Sequence, residues 1–183
     1  MRVRSVVTCT AVVSGHIACG DLAAARAAFE AMPERNVVSW TVMIDGCARN
    51  GRPEEAFGLF GKMLREKQKP NCYTMVGLLM ACSELGSLSL VRWVHEFARR
   101  NKMVEGGFYI GTALIDVYGK CGSADEALKV FDEMPVKSLA TWNSMIGSLG
   151  VCGRGKEAVE LFREMRRRNL MPDGITFVGV LAA

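Results

Sequence analysis

The chain has 183 residues, the length of one ordinary domain; half are hydrophobic and 23% charged, which excludes a disordered or collagen-like polymer. Net charge is +4, which permits an anionic partner without demanding one, since charge-driven nucleic-acid binders usually carry more. The longest uncharged stretches, Ser5–Gly20 and Ser138–Gly153, have 16 residues each, short of the ~20 mostly apolar residues of a spanning helix, so no membrane partner is expected.

Residues 1–5 form a short lead without a secretory signal. The chain then repeats itself. The unit 6–36 carries Ala25, Phe29 and Met32 in a fixed spacing. The unit 37–71 opens on Val38-Ser39-Trp40-Thr41-Val42-Met43-Ile44 and continues with Glu54-Glu55-Ala56, Phe60 and Met63. The unit 72–107 runs through Leu78-Leu79-Met80-Ala81-Cys82-Ser83-Glu84-Leu85-Gly86 and has His95 where the others have Phe. The unit 108–138 contains Gly111-Thr112-Ala113-Leu114-Ile115-Asp116, then Asp125-Glu126-Ala127, Phe131 and Met134. The unit 139–173 contains Thr141-Trp142-Asn143-Ser144-Met145-Ile146, then Lys156-Glu157-Ala158, Phe162 and Met165, and a stub of residues 174–183 follows. Two columns outside that signature test the frame. The fifteenth residue is always glycine (Gly20, Gly51, Gly86, Gly122, Gly153), and the eighth is always aliphatic (Val13, Ile44, Leu79, Ile115, Ile146).

Each unit predicts two helices. A hydroxyl at the third residue (Thr8, Ser39, Thr74, Thr141, Thr176) is the expected N-cap of the first. The glycine ends that helix in a left-handed cap. Acids and Pro53 open the second helix, whose stripe Ala56, Leu59, Phe60, Met63 has spacings of three and four. Pro33, Pro70, Pro135 and Pro172 are expected to end the second helices. One hairpin cannot bury both faces alone, so neighbours must stack. The expected fold is all-α: an α-solenoid (superhelix) of stacked antiparallel helix-turn-helix repeats. Phe60, Phe131 and Phe162 should be buried between helices.

Tetratricopeptide repeats share the Ala-x₃-Phe half of the pattern but want a glycine where this chain has an aliphatic residue in all five units. The strings Val37 to Gly46 and Glu55 to Met63 instead resemble the two helices of the pentatricopeptide repeat family. The unit lengths of 31, 35, 36, 31 and 35 resemble its plant PLS subclass. By that resemblance 6–36 is an S-type repeat, 37–71 P-type, 72–107 L-type, 108–138 S-type, 139–173 P-type and 174–183 a truncated L-type.

The resemblance implies a single-stranded RNA partner, one base per unit. The fifth and last residues of each unit would read the base: Thr10 with Asn36, Thr41 with Asn71, Thr112 with Ser138, and Asn143 with Asp173. The L-type unit offers Val76 with Gly107, which cannot read hydrogen bonds. The second residues, Val7, Val38, Tyr73, Tyr109 and Ala140, would pack against base faces. The implied preference, 5′ to 3′, is A-A-x-A-U. The bland readings stand beside these: Asn, Ser and Asp favour caps and turns anyway, and second residues pack at helix entries. The cations Lys62, Arg65, Lys67, Lys69 and Arg166–Arg168 sit at ends of second helices, where they complement the helix dipole.

No catalytic constellation stands out, so no enzyme and no cofactor or metal is expected. A deaminase zinc site needs H-x-E and P-C-x-x-C; the chain has only His16 and His95 and no C-x-x-C. The seven cysteines, an odd number, preclude a complete disulfide framework and suit a reducing compartment. His95 is expected to be a core-facing substitute. The resemblance places the protein in a mitochondrion or plastid as a specificity module for RNA processing, above all cytidine-to-uridine editing. A deaminase or other editing factors would then act in trans; five residues leave no room for a transit peptide. The rival expectations are a protein-binding helical scaffold and a truncated gene product without function. The stub's Ile175, Phe177, Val180 and Leu181 are expected to form an apolar edge through which chains self-associate.

Overall fold

The computed structural model describes residues 5–104 and 108–181. It contains eleven α-helices among the described residues and no strand: α1 (Val6–Ala18), α2 (Leu22–Glu30), α3 (Val37–Arg49), α4 (Pro53–Arg65), α5 (Cys72–Leu85), α6 (Leu88–Arg100), α7 (Phe108–Lys120), α8 (Ala124–Glu133), α9 (Leu139–Val151), α10 (Gly155–Arg167) and α11 (Gly174–Leu181). None is long and apolar enough to cross a membrane. The chain forms two compact units, one running to Leu85 and the other starting at Gly86.

In the first unit α1 packs on α3 and α3 on α5, while α2 and α4 each wedge against their own partner and the next first helix. The second unit follows the same scheme, with α7 on α9 and α9 on α11. Each glycine of the fifteenth column adopts a φ between +59° and +75°, which a side chain resists. Past Gly20 the Asp21 N–H reaches back to the His16 carbonyl at 2.9 Å, closing the helix end.

Two local expectations are corrected. The N-cap is not the third residue of a unit but the residue before its first: Ser5, Asn36 and Ser138 have extended φ/ψ, and their side chains accept from the backbone N–H three residues on. The third-residue hydroxyl answers from inside the helix, so Asn36 with Ser39 and Ser138 with Thr141 form reciprocal capping boxes. Nor do Pro70 and Pro172 end the second helices. Those end at Arg65 and Arg167, where Lys67 and Asn169 take left-handed φ of 56° and 58°. The backbone has already turned when the proline arrives.

The core follows the stripes. Ala56, Leu59, Phe60 and Met63 are buried, as are Phe29, Phe131 and both tryptophans of the fourth column. Phe29 meets Trp40 edge-on at 4.9 Å between ring centroids, and Phe131 meets Trp142 likewise at 5.0 Å. A cation closes each pair: Arg35 lies 5.1 Å over Phe29, and Lys137 lies 5.0 Å over Phe131. Both cations also donate to carbonyls at the end of the preceding helix, Arg35 to Phe29 O and Lys137 to Met134 O. At Gly111 of the same column the space belongs to Met134, whose Sδ would lie 2.6 Å from an added Cβ. Phe162 departs from expectation. It is half-buried, and its ring meets the tilted Phe177 ring of α11 at 5.9 Å. No cysteine is in a disulfide among the described residues; Cys47 and Cys82 are buried and Cys19 is exposed.

Candidate nucleic-acid interface

The residues expected to contact RNA lie at the starts of first helices. All five second-column residues, Val7, Val38, Tyr73, Tyr109 and Ala140, are exposed. A residue buried in helix-entry packing would not be. Among the fifth-column residues, Thr10 and Asn143 are largely buried, while Thr41, Thr112 and Val76 are half-exposed. Gly107 lies outside the described residues.

The last residue of a unit and the fifth residue of the same unit come together through a third group. In the first compact unit, Asn71 Oδ1 accepts from the Thr74 N–H at 2.9 Å and lies 3.0 Å from Thr74 Oγ1, which in turn lies 2.7 Å from Thr41 Oγ1. In the second, Ser138 Oγ lies 3.0 Å from Thr141 Oγ1, itself 2.8 Å from Thr112 Oγ1. Asn143 and Asp173 meet directly as well: Asn143 Nδ2 donates to Asp173 Oδ1 at 3.0 Å, and the Thr176 hydroxyl donates to Asn143 Oδ1 at 2.6 Å. Thr10 and Asn36 differ. The Thr10 hydroxyl donates to the Val6 carbonyl at 2.8 Å, one turn back on its own helix.

Capping fixes the orientation of these side chains. The Ser39 N–H donates to Asn36 Oδ1 at 3.0 Å, as the Thr74 N–H does to Asn71. Asn71 Oδ1 is engaged twice by Thr74, so Asn71 has only its Nδ2 hydrogens left to offer; Asn36 Oδ1 accepts once and keeps a lone pair beside its Nδ2 hydrogens. Asp173 is held ionised: the Thr176 backbone N–H and the Asn143 amide lower its pKa. A carboxylate so held can only accept.

In the second compact unit these residues line a groove of about 630 Å³ that includes Ala140, Asn143, Asp173, Asp116 and Lys120. Lys120 pairs with Asp116 at 2.8 Å, one helical turn apart. The ninth and thirteenth columns repeat the pair in the first compact unit, where Arg49 holds Asp45 at 2.7 Å. The sequence reasoning passed over these cations and the bridging role of Thr74, Thr141 and Thr176. The hydroxyl column was visible, but it carried a sufficient local explanation as a cap. At the basic ends of the second helices, Arg167 and Arg168 pair with Glu164.

Family models described as PPR repeat family match residues 35–84 and 137–183, and models described as PPR repeat match 7–37 and 112–139. The chain belongs to the pentatricopeptide repeat family. A chloroplastic pentatricopeptide repeat-containing protein of Arabidopsis thaliana is 54% identical over 197 residues, covering 90% of this chain and 43% of its own. A second chloroplastic member is 44% identical over 179 residues, 98% of this chain and 30% of its own, and a mitochondrial one 40% over 172 residues, 94% and 31%. The chain thus spans less than half the length of these relatives. Among solved structures, the pentatricopeptide repeat protein PPR10 in complex with an 18-nt psaJ RNA element has a TM-score of 0.82 at 19% identity, over 97% of this chain and 27% of that one. The PPR domain of Arabidopsis thaliana protein-only RNase P 1, in complex with tRNA, has a TM-score of 0.68 at 12% identity, over 92% and 93%. At those identities the likeness establishes the fold, an all-α helical-repeat solenoid.

Proposed function

We propose that this protein binds single-stranded RNA and reads it one base per repeat. The observation that carries the reading is the fixed polarity of two last residues, Asn71 with its amide oxygen engaged twice and Asp173 as a carboxylate. Asn36 and Asn71 offer an N–H donor, which suits the ring-nitrogen acceptor of adenine (N1) or cytosine (N3). Asp173 offers an acceptor, which suits the ring N–H of uracil or guanine. By the family resemblance, Thr at the fifth residue goes with a purine and Asn143 with a pyrimidine. The combination supports adenine at Thr10/Asn36 and Thr41/Asn71 and uracil at Asn143/Asp173, with a weaker adenine at Thr112/Ser138. The preferred pattern is A-A-x-A-U, with Val76 unable to hydrogen-bond in the middle. Exposed Val7, Val38, Tyr73, Tyr109 and Ala140 suit contact with base faces.

The RNA-bound state of PPR10 and of protein-only RNase P 1 supports the substrate class. Relatives named chloroplastic and mitochondrial support an organellar setting. The alternation of 31-, 35- and 36-residue units supports a PLS-type array, hence a specificity role in cytidine-to-uridine editing with the deaminase supplied in trans. On α11, Ile175, Phe177, Val178 and Leu181 are exposed, which supports self-association through that face; sedimentation over a range of concentrations should show it, and a monomer throughout would refute it.

The reading is tested by changing Asn143→Thr and Asp173→Asn together. Binding to oligonucleotides differing only at the last base should shift from uracil to adenine, by roughly tenfold or more from ~1–3 kcal/mol per base contact, with other positions unaffected. An unchanged preference would leave the groove as a site for peptide.

A further inference from the structure

We propose that base choice at three of the four reading pairs is set jointly by a third side chain, the third residue of the following repeat: Thr74 for Thr41 with Asn71, Thr141 for Thr112 with Ser138, and Thr176 for Asn143 with Asp173. This inference rests on the RNA-reading function above and extends it to residues outside the reading pair.

A hydroxyl has one proton to give and two lone pairs to receive. Thr74 Oγ1 accepts from the Asn71 backbone N–H at 3.2 Å, and has two further neighbours, Asn71 Oδ1 at 3.0 Å and Thr41 Oγ1 at 2.7 Å. The amide oxygen can only accept, so the Thr74 proton goes to Asn71. Thr41 must then be the donor in the short contact between the two hydroxyls. The proton order runs Thr41 to Thr74 to Asn71. Thr41 is left with lone pairs alone for a base, and Asn71 with N–H alone. An acceptor beside a donor complements the amino group and N1 of adenine; it mismatches O6 and N1–H of guanine. Thr74 thus fixes which partner of the pair gives and which receives.

Thr176 performs the corresponding task by another route. It is buried, 1% exposed, and its hydroxyl lies 2.6 Å from Asn143 Oδ1 and 2.9 Å from Asp173 Oδ1. Nδ2 of Asn143 already donates to Asp173 Oδ1, so only the Thr176 proton remains to hold Asn143 Oδ1. That bond sets the flip of the Asn143 amide. Thr141 has neighbours in the same places, at 2.8 Å on Thr112 and 3.0 Å on Ser138, but both are hydroxyls that can donate or accept, so it links the pair without fixing which partner gives.

The first pair is the internal contrast. Ser39 stands in the same column, but its hydroxyl donates to the Asn36 carbonyl at 2.9 Å, and Thr10 turns to its own helix. Among the described residues no third side chain links that pair, so its base should be read less sharply than the one at Thr41 with Asn71.

The test uses the full 183-residue chain, the variants Thr74→Val and Thr176→Val, and single-stranded RNA oligonucleotides carrying each of the four bases at the second or the last site. Valine keeps the branched shape and the backbone N–H that caps, and removes only the hydroxyl. Thr74→Val should lower the preference for adenine at the second site about fivefold, the worth of one hydrogen bond, and leave the last site unchanged. Thr176→Val should do the reverse, lowering the preference for uracil at the last site alone. A purely structural role would weaken binding to all four bases equally and leave both ratios intact. If the unmodified chain discriminates and both variants keep their ratios within about twofold, the inference is wrong while the RNA-reading function stands. If the unmodified chain shows no preference at either site, that function falls and takes the inference with it. Thermal melting confirms that each variant is folded; should one not fold, the other decides, since Thr74 and Thr176 serve different repeats.

Discussion

At the scale of single residues, His95 is the clearest departure from the repeat pattern. It occupies the column held elsewhere by Phe29, Phe60, Phe131 and Phe162. Its ring meets Tyr118 edge-on at 5.8 Å, and its Nδ1 lies 3.0 Å from the Tyr118 hydroxyl. Burial also pushes the Tyr118 phenol up to about 12, so that hydroxyl stays neutral. The surrounding charges oppose one another: Glu133, Glu96 and Glu126 favour an imidazolium and Arg99 disfavours it, but burial outweighs them and lowers the pKa below its ordinary value. The sign of the pH dependence follows. Below about pH 6.5 the unfolded chain takes up a proton at this residue that the folded chain refuses, so stability falls as pH drops, until the folded imidazole protonates as well. The carboxylates contribute at lower pH: Glu96, held near 2 by Arg99 and Arg100, and Glu126, lowered by Arg92, lose their stabilising ionisation only as pH falls below the ordinary carboxylate range. His95→Phe should therefore remove part of the slope between pH 7 and pH 5. Urea unfolding midpoints of both proteins across that range would measure it, and parallel slopes would contradict it.

At the scale of elements, helix pairs are joined by aromatic contacts that differ in depth. Phe131 is buried against Trp142 with Lys137 above it; Phe162 is half-buried against Phe177. Phe131→Ala should cost about 3–5 kcal/mol, and Phe162→Ala clearly less, both read by chemical denaturation; equal losses would mean that burial does not set the cost. The contrast marks how far the sequence could be followed. Helix pairs were legible because glycines at the fifteenth column and apolar stripes at spacings of three and four have local causes. The cap was misplaced by three residues because Asn36 and Ser39 are both good capping residues, and only the extended backbone at Asn36 decides between them. Burial of Phe162 could not be read from its column, since every phenylalanine there looks alike until its neighbour is known. The reading pairs were legible as polar columns. Their bridging threonines were not, because Thr41 and Thr74 are 33 residues apart and nothing local announces the contact.

At the scale of the molecule, charge decides how RNA would be held. The net charge is only +4, and many of its arginines already have acidic partners. Arg26 and Arg52 pair with Glu55, Arg92 with Glu126 at 2.7 Å, and Arg154 with Asp125 at 2.5 Å and Glu157 at 2.6 Å. Several of these pairs join the second helices of successive repeats, away from the residues expected to read bases. Their cations stabilise the stack only weakly, as exposed pairs do, and, set away from the expected reading residues, are poorly placed to neutralise phosphates there. Arg49 and Lys120 are paired too, each with an aspartate one turn away, but each lies on a first helix, the element that carries the expected reading residues. Each phosphate neutralised on a single strand contributes about −0.7 to the slope of log affinity against log salt. Two such contacts predict a slope of about −1.4, much shallower than for a protein that grips RNA by charge. Titrations of A-A-x-A-U oligonucleotides at several salt concentrations would give the slope directly. Arg49→Gln with Lys120→Gln should flatten it nearly to zero while sparing the base preferences, because base edges carry the discrimination and phosphates only the attraction. A slope several-fold steeper, unmoved by those substitutions, would relocate the contact to the basic helix ends at Lys62, Arg65 and Arg166–Arg168, where no reading pair lies.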